Sequence, residues 1–304
     1  MVVADNISKK YGNIKALDSF TLKVGKAELF GLIGPDGAGK TTFFRIVSTL
    51  LLPDEGKISV MGLDTERDYK KLRRKIGYMP GRFSLYQDLT VEENLNFYAT
   101  VFGTTVKENY HLIKDIYSHI EPFKKRPSGK LSGGMKQKLA LCCALVHAPD
   151  LVILDEPTTG VDAVSRTEFW EMLKVLQGEG ITILVSTPYM DEAMMCDRVA
   201  LLQKGRILQT DSPLNIISGF GKKIYAVRSR ERYRLIQDLR SWPAVESVNP
   251  FGDSIHISFS DESFYDKISA ELQKAGHPDL ELREIEPGIE DVFLELMTAS
   301  ENDR

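Results

Sequence analysis

The chain is poor in cysteine and histidine, and it has no long apolar run. Among 304 residues there are three cysteines and five histidines. Cys142 and Cys143 are adjacent and Cys196 stands apart, which excludes a disulfide framework of the secreted kind and favours a reducing compartment. Adjacent side chains on a helix point in different directions, so the pair is no shared metal site. All three read as small buried thiols. No stretch approaches the ~20 apolar residues that span a bilayer. The longest, Leu139 to Ala148, reads as a core helix. The opening "MVVADNISKKYGN" has no signal-peptide core. Excess positive charge is missing too. The net charge of -4 argues against nucleic acid as the main partner.

What is present is ordinary globular usage, with 42% hydrophobic and 27% charged residues. That supplies a large core, and the length suits one large domain with a smaller one.

Ala27 to Ile33 is an apolar run with a single acid, the pattern of a strand buried on both faces. It leads into Gly34-Pro35-Asp36-Gly37-Ala38-Gly39-Lys40-Thr41-Thr42. Two spaced glycines followed by Lys and Thr form the phosphate-loop pattern. Glycines let the backbone wrap and aim N–H groups at phosphate oxygens. A helix starting near Lys40, with Phe43, Ile46, Val47 and Leu50 on its apolar face, adds its positive end. Lys40 can reach the β/γ-phosphates, and the Thr41 hydroxyl suits Mg²⁺.

A second buried strand, "LVILDEP", ends in Asp155-Glu156. At the edge of a parallel sheet, Asp155 suits the Mg²⁺ shell and Glu156 is placed to polarise an attacking water. Between the two strands lies "KLSGGMKQ". Ser132 reads as an N-cap, and Gly133-Gly134 expose N–H groups at the start of a long helix. That is a second anion-binding helix end. One nucleotide hardly needs both from the same subunit, so the second is assigned to a partner subunit's nucleotide.

With these motifs the chain resembles the ATP-binding subunit of an ATP-binding cassette (ABC) transporter, close to the ABC-2 exporter type. The matching elements are Tyr11 in "KKYGN", the Walker A loop Gly34 to Thr42, "LSGGMKQ", Walker B "LVILDE" and the D-loop Thr159-Gly160-Val161-Asp162. The resemblance implies an α/β P-loop NTPase cassette over residues 1–218. It would have a RecA-like core, an antiparallel β subdomain and a helical subdomain at about 88–148. It implies ATP and Mg²⁺ as cofactors, with Tyr11 stacked on adenine. Head-to-tail dimers are implied, in which Ser132 and Gly134 of one subunit close over the other's γ-phosphate and Asp162 sits at the seam. Separate transmembrane permease subunits, and a cytoplasmic place on the inner face of the membrane, are implied as well.

Two positions depart from the family pattern. Gly81, after "GYMP", stands where the family usually has a glutamine that contacts Mg²⁺ and the attacking water. Pro188, after Ser186-Thr187, stands where it usually has a histidine that holds the γ-phosphate. Proline offers neither a side-chain donor nor an N–H. Losing one preorganised contact costs ~10²–10³ in rate. The expectation is a site that binds Mg-ATP and hydrolyses it slowly, which favours a heterodimer with a fully equipped second ATP-binding subunit. Arg82, Gln87 and Tyr189 are the candidate replacements. The alternative role is a hydrolysis-poor structural or regulatory subunit; a soluble non-transport cassette ATPase ranks lower.

Thr90-Val91-Glu92-Glu93 reads as a capping box before a helix, and a second helix is expected at about Lys107 to Ile120. Phe83, Leu85 and Tyr86 are candidates for the surface that, in the family, receives a short helix of the membrane subunit. Lys70 to Lys75 reads as a solvated helix face. Residues 219–304 form an accessory domain whose pattern β-α-β-β-α-β is ferredoxin-like. A last helix is expected near Pro287, and the tail Thr298 to Arg304 is expected to be disordered.

Overall fold

The structure is a computed structural model that describes residues 1–302, without the side chains at positions 262, 266, 301 and 302. The chain divides into two compact units, Met1–Pro213 and a second from Leu214 onward.

The first unit begins with two long strands, β1 (Val2–Tyr11) and β2 (Ile14–Val24), and the short buried β3 (Leu29–Ile33). Helix α1 (Lys40–Val47), β4 (Glu55–Val60), β5 (Leu63–Asp64), α2 (Tyr69–Leu72) and β6 (Ile76–Met79) follow. Three helices come next: α3 (Val91–Phe102), α4 (Tyr110–Ser118) and α5 (Gly133–Leu145). The unit closes with β7 (Leu151–Asp155), α6 (Ala163–Gly178), β8 (Thr182–Thr187), β9 (Arg198–Gln203) and β10 (Arg206–Asp211).

Two sheets result. One is antiparallel, in the order β2-β1-β4-β5. The other runs β10-β9-β3-β8-β7-β6, parallel except for the edge pair β9/β10. β3, β7 and β8 are buried along their whole length, as their unbroken apolar sequences require of strands covered on both faces. Parallel strands point one way, so the C-terminal ends of β3, β7 and β8 meet at one edge. The core between the sheets is aromatic, with Phe20 of β2 and Phe43 of α1 at 4.5 Å between ring centroids.

The helical segment is delimited by local chemistry. Thr90 caps α3 with a reciprocal box in which its hydroxyl accepts from the Glu93 N–H and its own N–H donates to the Glu93 carboxylate. Gly103, at φ 73°, ends the helix in the left-handed conformation. α4 starts at Tyr110 rather than at Lys107, because Thr104 and Thr105 turn their hydroxyls onto Glu108 ahead of it.

Two further expectations are shortened. β3 begins at Leu29, since Ala27 sits at φ 53° in a turn. α1 stops at Val47 because Thr49 is left-handed at φ 62°, so Leu50 is off the helix and exposed. The cysteines are buried as expected, and burial pushes all three thiols up. Lys70 to Lys75 is solvated apart from Leu72, with α2 only four residues long.

Helix α7 (Pro213–Ser218) spans the boundary between the units. The second unit then runs β11 (Ile224–Arg228), α8 (Arg232–Ser241), β12 (Val245–Phe251), β13 (Ser254–Phe259), α9 (Tyr265–Lys274), β14 (Glu281–Ile285) and α10 (Ile289–Asn302). Its sheet is antiparallel throughout, in the order β12-β13-β11-β14. Leu235 and Leu239 of α8 and Ile268 and Leu272 of α9 pack with Tyr225, Val227, Ile255 and Ile257. Pro287 precedes α10 by two positions, and Asp291 instead fixes the start by accepting from the Gly288 N–H and pairing with His256. The expected disordered tail is corrected here: Thr298 to Asn302 continue α10, while Asp303 and Arg304 lie outside the described residues.

Candidate functional site

β3 delivers the loop and α1 carries it away. Gly39, at φ 106°, makes the turn, and a Cβ there would lie 2.4 Å from the Ala16 carbonyl oxygen. Only glycine fits both conditions. The first helical turn leaves the N–H groups from Gly39 to Thr42 without intrahelical acceptors, a ready anion site. Lys40 is 3% exposed. Its Nζ donates to the Gly34 and Pro35 carbonyl oxygens at 2.7 and 3.0 Å and lies 3.2 Å from Glu156 Oε1.

Gly37 to Thr42 line an open cleft of about 210 Å³ together with Tyr11 and Glu156. Gly34, Pro35 and Asp36 do not line it. The Gly34 N–H is committed to the Thr187 carbonyl at 3.3 Å, and proline has no N–H. Gly34 and Pro35 therefore act through their carbonyls on Lys40.

β7 brings up the acids. Asp155 Oδ1 accepts from Thr41 Oγ1 at 3.2 Å and from Ser186 Oγ at 2.7 Å. Glu156 adopts φ 50°, a strained value for a residue with a side chain. Tyr78, on neighbouring β6, has its hydroxyl pushed up to about 12 by burial, with the Asp155 charge adding to the shift.

The segment starting at Ser132 is elsewhere in the unit. Ser132 caps α5 by accepting from the Met135 N–H, and a Cβ on Gly134 would stand 3.0 Å from Ser165 Oγ. Asp162 caps α6 by accepting from the Ser165 N–H at 3.0 Å, and that bond, with the Ser165 hydroxyl, holds its carboxyl below the usual range. Neither Ser132 nor Gly134 lines the cleft around Lys40.

The family model for ABC transporters matches residues 17–159. The Nod factor export ATP-binding protein I of Rhizobium sp. (strain N33) is 34% identical over 294 residues, covering 95% of this chain and 94% of that protein. This chain belongs to the ATP-binding subunits of ABC transporters. It is also 40% identical over 272 residues to the probable multidrug ABC transporter ATP-binding protein YbhF of Escherichia coli (strain K12). That match covers 88% of this chain but 46% of YbhF, so the chain spans about half the length of that relative. Among solved structures, the dimeric post-hydrolysis ATP-binding cassette MJ0796 bound to ADP and Pi covers 70% of this chain at 27% identity, with a TM-score of 0.63 over 98% of its own length. CbiO1 from Clostridium perfringens, part of the CbiONQ ABC transporter complex, covers 80% of this chain and 95% of its own at 25% identity and a TM-score of 0.64.

ABC ATP-binding subunits bind ATP, normally with Mg²⁺, and as a family hydrolyse it. The donor set here fits that ion. One carboxylate and one hydroxyl in contact, Asp155 and Thr41, are hard oxygen ligands of the number Mg²⁺ takes when phosphates and waters complete its shell.

The two positions expected to depart from the cassette pattern sit at this edge. A Cβ on Gly81 would meet the Asp155 carbonyl oxygen, so position 81 adjoins the acids, yet it carries no side chain. Pro188 follows the last residue of β8. Arg82, Gln87 and Tyr189 do not line the cleft, nor does any histidine among the described residues. Arg82 faces a groove against α3 and α5, Gln87 lies against Gly129, and the Tyr189 ring is covered by the Arg166 guanidinium at 4.8 Å.

The sequence reading passed over Ser186 and Glu192. Glu192 is buried, and one of its oxygens accepts from both Thr158 and Thr187. The available signal was the polar pair that ends an otherwise apolar strand.

Proposed function

We propose that this cassette binds Mg-ATP in the cleft around Lys40, closes over it as part of a dimer, and drives export through separate membrane-spanning permease subunits, while its own site turns over slowly. The observation that carries the slow-site reading is the cleft itself. Gly81 and Pro188 leave the Asp155–Glu156 edge without the usual glutamine and histidine, and Arg82, Gln87 and Tyr189 face other surroundings.

In this reading the first-turn N–H groups and Lys40 bind the phosphates, Tyr11 stacks on the base, and Thr41 and Asp155 hold Mg²⁺. The ion would neutralise charge on the phosphate oxygens. Glu156 would orient the attacking water, without the glutamine and histidine contacts that usually steady that water and the γ-phosphate. Ser132 and Gly134, outside this cleft, suit the partner's nucleotide, with Asp162 at the seam. An intact signature segment beside a poor hydrolytic edge favours a second, fully equipped ATP-binding subunit. Direction of transport is carried over from the relatives named for export.

Docking to a permease is supported by a groove of about 310 Å³ between β6 and helices α3 and α5, lined by Phe83, Leu85, Tyr98 and Phe102, whereas Tyr86 is exposed and does not line it. Among the described residues no helix is long and apolar enough to cross a membrane, so such docking would account for a place on the inner face. We read the second unit as ferredoxin-like from its strand and helix order and its sheet order, and assign it a packing or dimerisation role.

The test is calorimetric ATP titration of the purified chain, with and without Mg²⁺, followed by phosphate release. Tight uptake with near-background turnover is expected. Brisk Mg-dependent turnover that Lys40→Ala abolishes defeats the slow-site reading, and absence of any uptake defeats the whole.

A further inference from the structure

β8 is an apolar strand that ends in two buried hydroxyl residues, Ser186 and Thr187. A buried hydroxyl must be satisfied by the protein, because no bulk water reaches it. Thr187 spends its proton on Glu192. Ser186 is different, because its hydroxyl is partnered by Asp155 at the end of β7 and by Glu156 just after it. Its Oγ donates to Asp155 Oδ1 at 2.7 Å and accepts from the Glu156 N–H at 3.0 Å.

Each of these bonds restrains one of the two acids. Asp155 sits at the end of its strand, and Oδ1 takes the Ser186 proton together with that of Thr41. Two donors on one oxygen fix the rotation of the carboxylate and leave Oδ2 turned away from both. Glu156 holds φ 50°, and its N–H is shared between the Ser186 carbonyl at 3.1 Å and the Ser186 hydroxyl. A left-handed residue with a side chain costs about 1–3 kcal/mol and persists only where its surroundings hold it.

We infer that Ser186 is a positioning residue for the metal half of this site. It turns the Asp155 carboxylate for Mg²⁺ and pins the backbone that aims Glu156. It acts through the two acids. The inference rests on the reading of the cleft as an Mg-ATP site. It also accounts for a strand end that keeps its hydroxyls while carrying proline where the family places a histidine. The end of β8 still orders the acids after its tip has lost contact with phosphate.

Partners that orient a ligating carboxylate typically affect metal affinity by about 10–100-fold when removed. The experiment is ATP titration of the full chain and of Ser186→Ala, first in EDTA and then across a Mg²⁺ series. The expected result is unchanged Mg-free uptake and a half-saturating Mg²⁺ concentration raised at least ~10-fold in the variant. Superimposable Mg²⁺ curves overturn the inference while leaving the Mg-ATP reading intact. A variant that loses Mg-free uptake as well also overturns it, since Ser186 is then a general structural residue. No uptake by the unaltered chain overturns both readings.

Discussion

A Cβ built on Gly81 would lie 3.0 Å from the carbonyl oxygen of Asp155 and 3.9 Å from the Cβ of Glu156. A longer side chain at this position therefore starts beside both acids, at the cost of a shift of a few tenths of an ångström. Gly81→Gln combined with Pro188→His should raise Mg-ATP turnover at least ~10-fold, since each regained contact of this kind is typically worth ~10²–10³ and the two need not add. Phosphate release from the purified variants measures it. Turnover no higher than in the parent would leave the slow-site account without its cause.

Tyr11 is 46% exposed at the mouth of the cleft. An aromatic ring stacked on a base is worth about 1–3 kcal/mol. Tyr11→Ala should therefore weaken ATP binding by roughly 5- to 150-fold, and Tyr11→Phe should change it little. Calorimetric titration with ATP distinguishes the two variants, and equal losses in both would point away from stacking.

Lys40 holds the Gly34 and Pro35 carbonyls and faces Glu156. Lys40→Ala removes a cation placed for phosphate and leaves those carbonyls without their donor. Nucleotide affinity should fall by ~10-fold or more, at least ~1.4 kcal/mol. Equilibrium binding of a fluorescent ATP analogue reads it directly.

Glu192 ties two distant segments, Thr158 just after the acids of β7 and Thr187 at the end of β8. Arg166 lies 3.7 Å from its other oxygen. Glu192→Ala leaves two hydroxyls without their acceptor in the interior. Hydrogen bonds to charged groups contribute about 1.5–3 kcal/mol each, so losing both is expected to cost about 3–6 kcal/mol, and less for Glu192→Gln. Urea unfolding midpoints supply the comparison.

Asp18 has its carboxyl held below its ordinary value of 3.8, first by the hydrogen bond from Arg206 and then by that from Lys15. A folded value below the unfolded one means the stabilisation is fully present above 3.8 and is lost as pH falls through the lower folded value. Asp18→Asn should thus lower the neutral plateau and converge with the parent at low pH, which leaves the variant a flatter acid limb. Unfolding midpoints between about pH 5 and pH 2 test the sign.

Much of the site was legible because its signals are local. The loop from Gly34 to Thr42, the capping box at Thr90 and the Ser132 cap each lie within a few residues of the partners that define them. The same locality misled where a neighbour intervened. Leu50 keeps the helical period of α1, but left-handed Thr49 takes it off the helix. The polar composition of Thr298 to Asn302 suggested disorder, yet these residues extend α10.

The order of motifs along the chain determined by itself that this is an ABC ATP-binding subunit. Only the tertiary structure decided which atoms of those motifs face one another. Ser186 is 31 residues from Asp155 in sequence, and Glu192 is 34 from Thr158. No periodicity or spacing encodes such pairs. They form because parallel strands bring their C-terminal ends to one edge, where buried hydroxyls have only each other's acids to satisfy them.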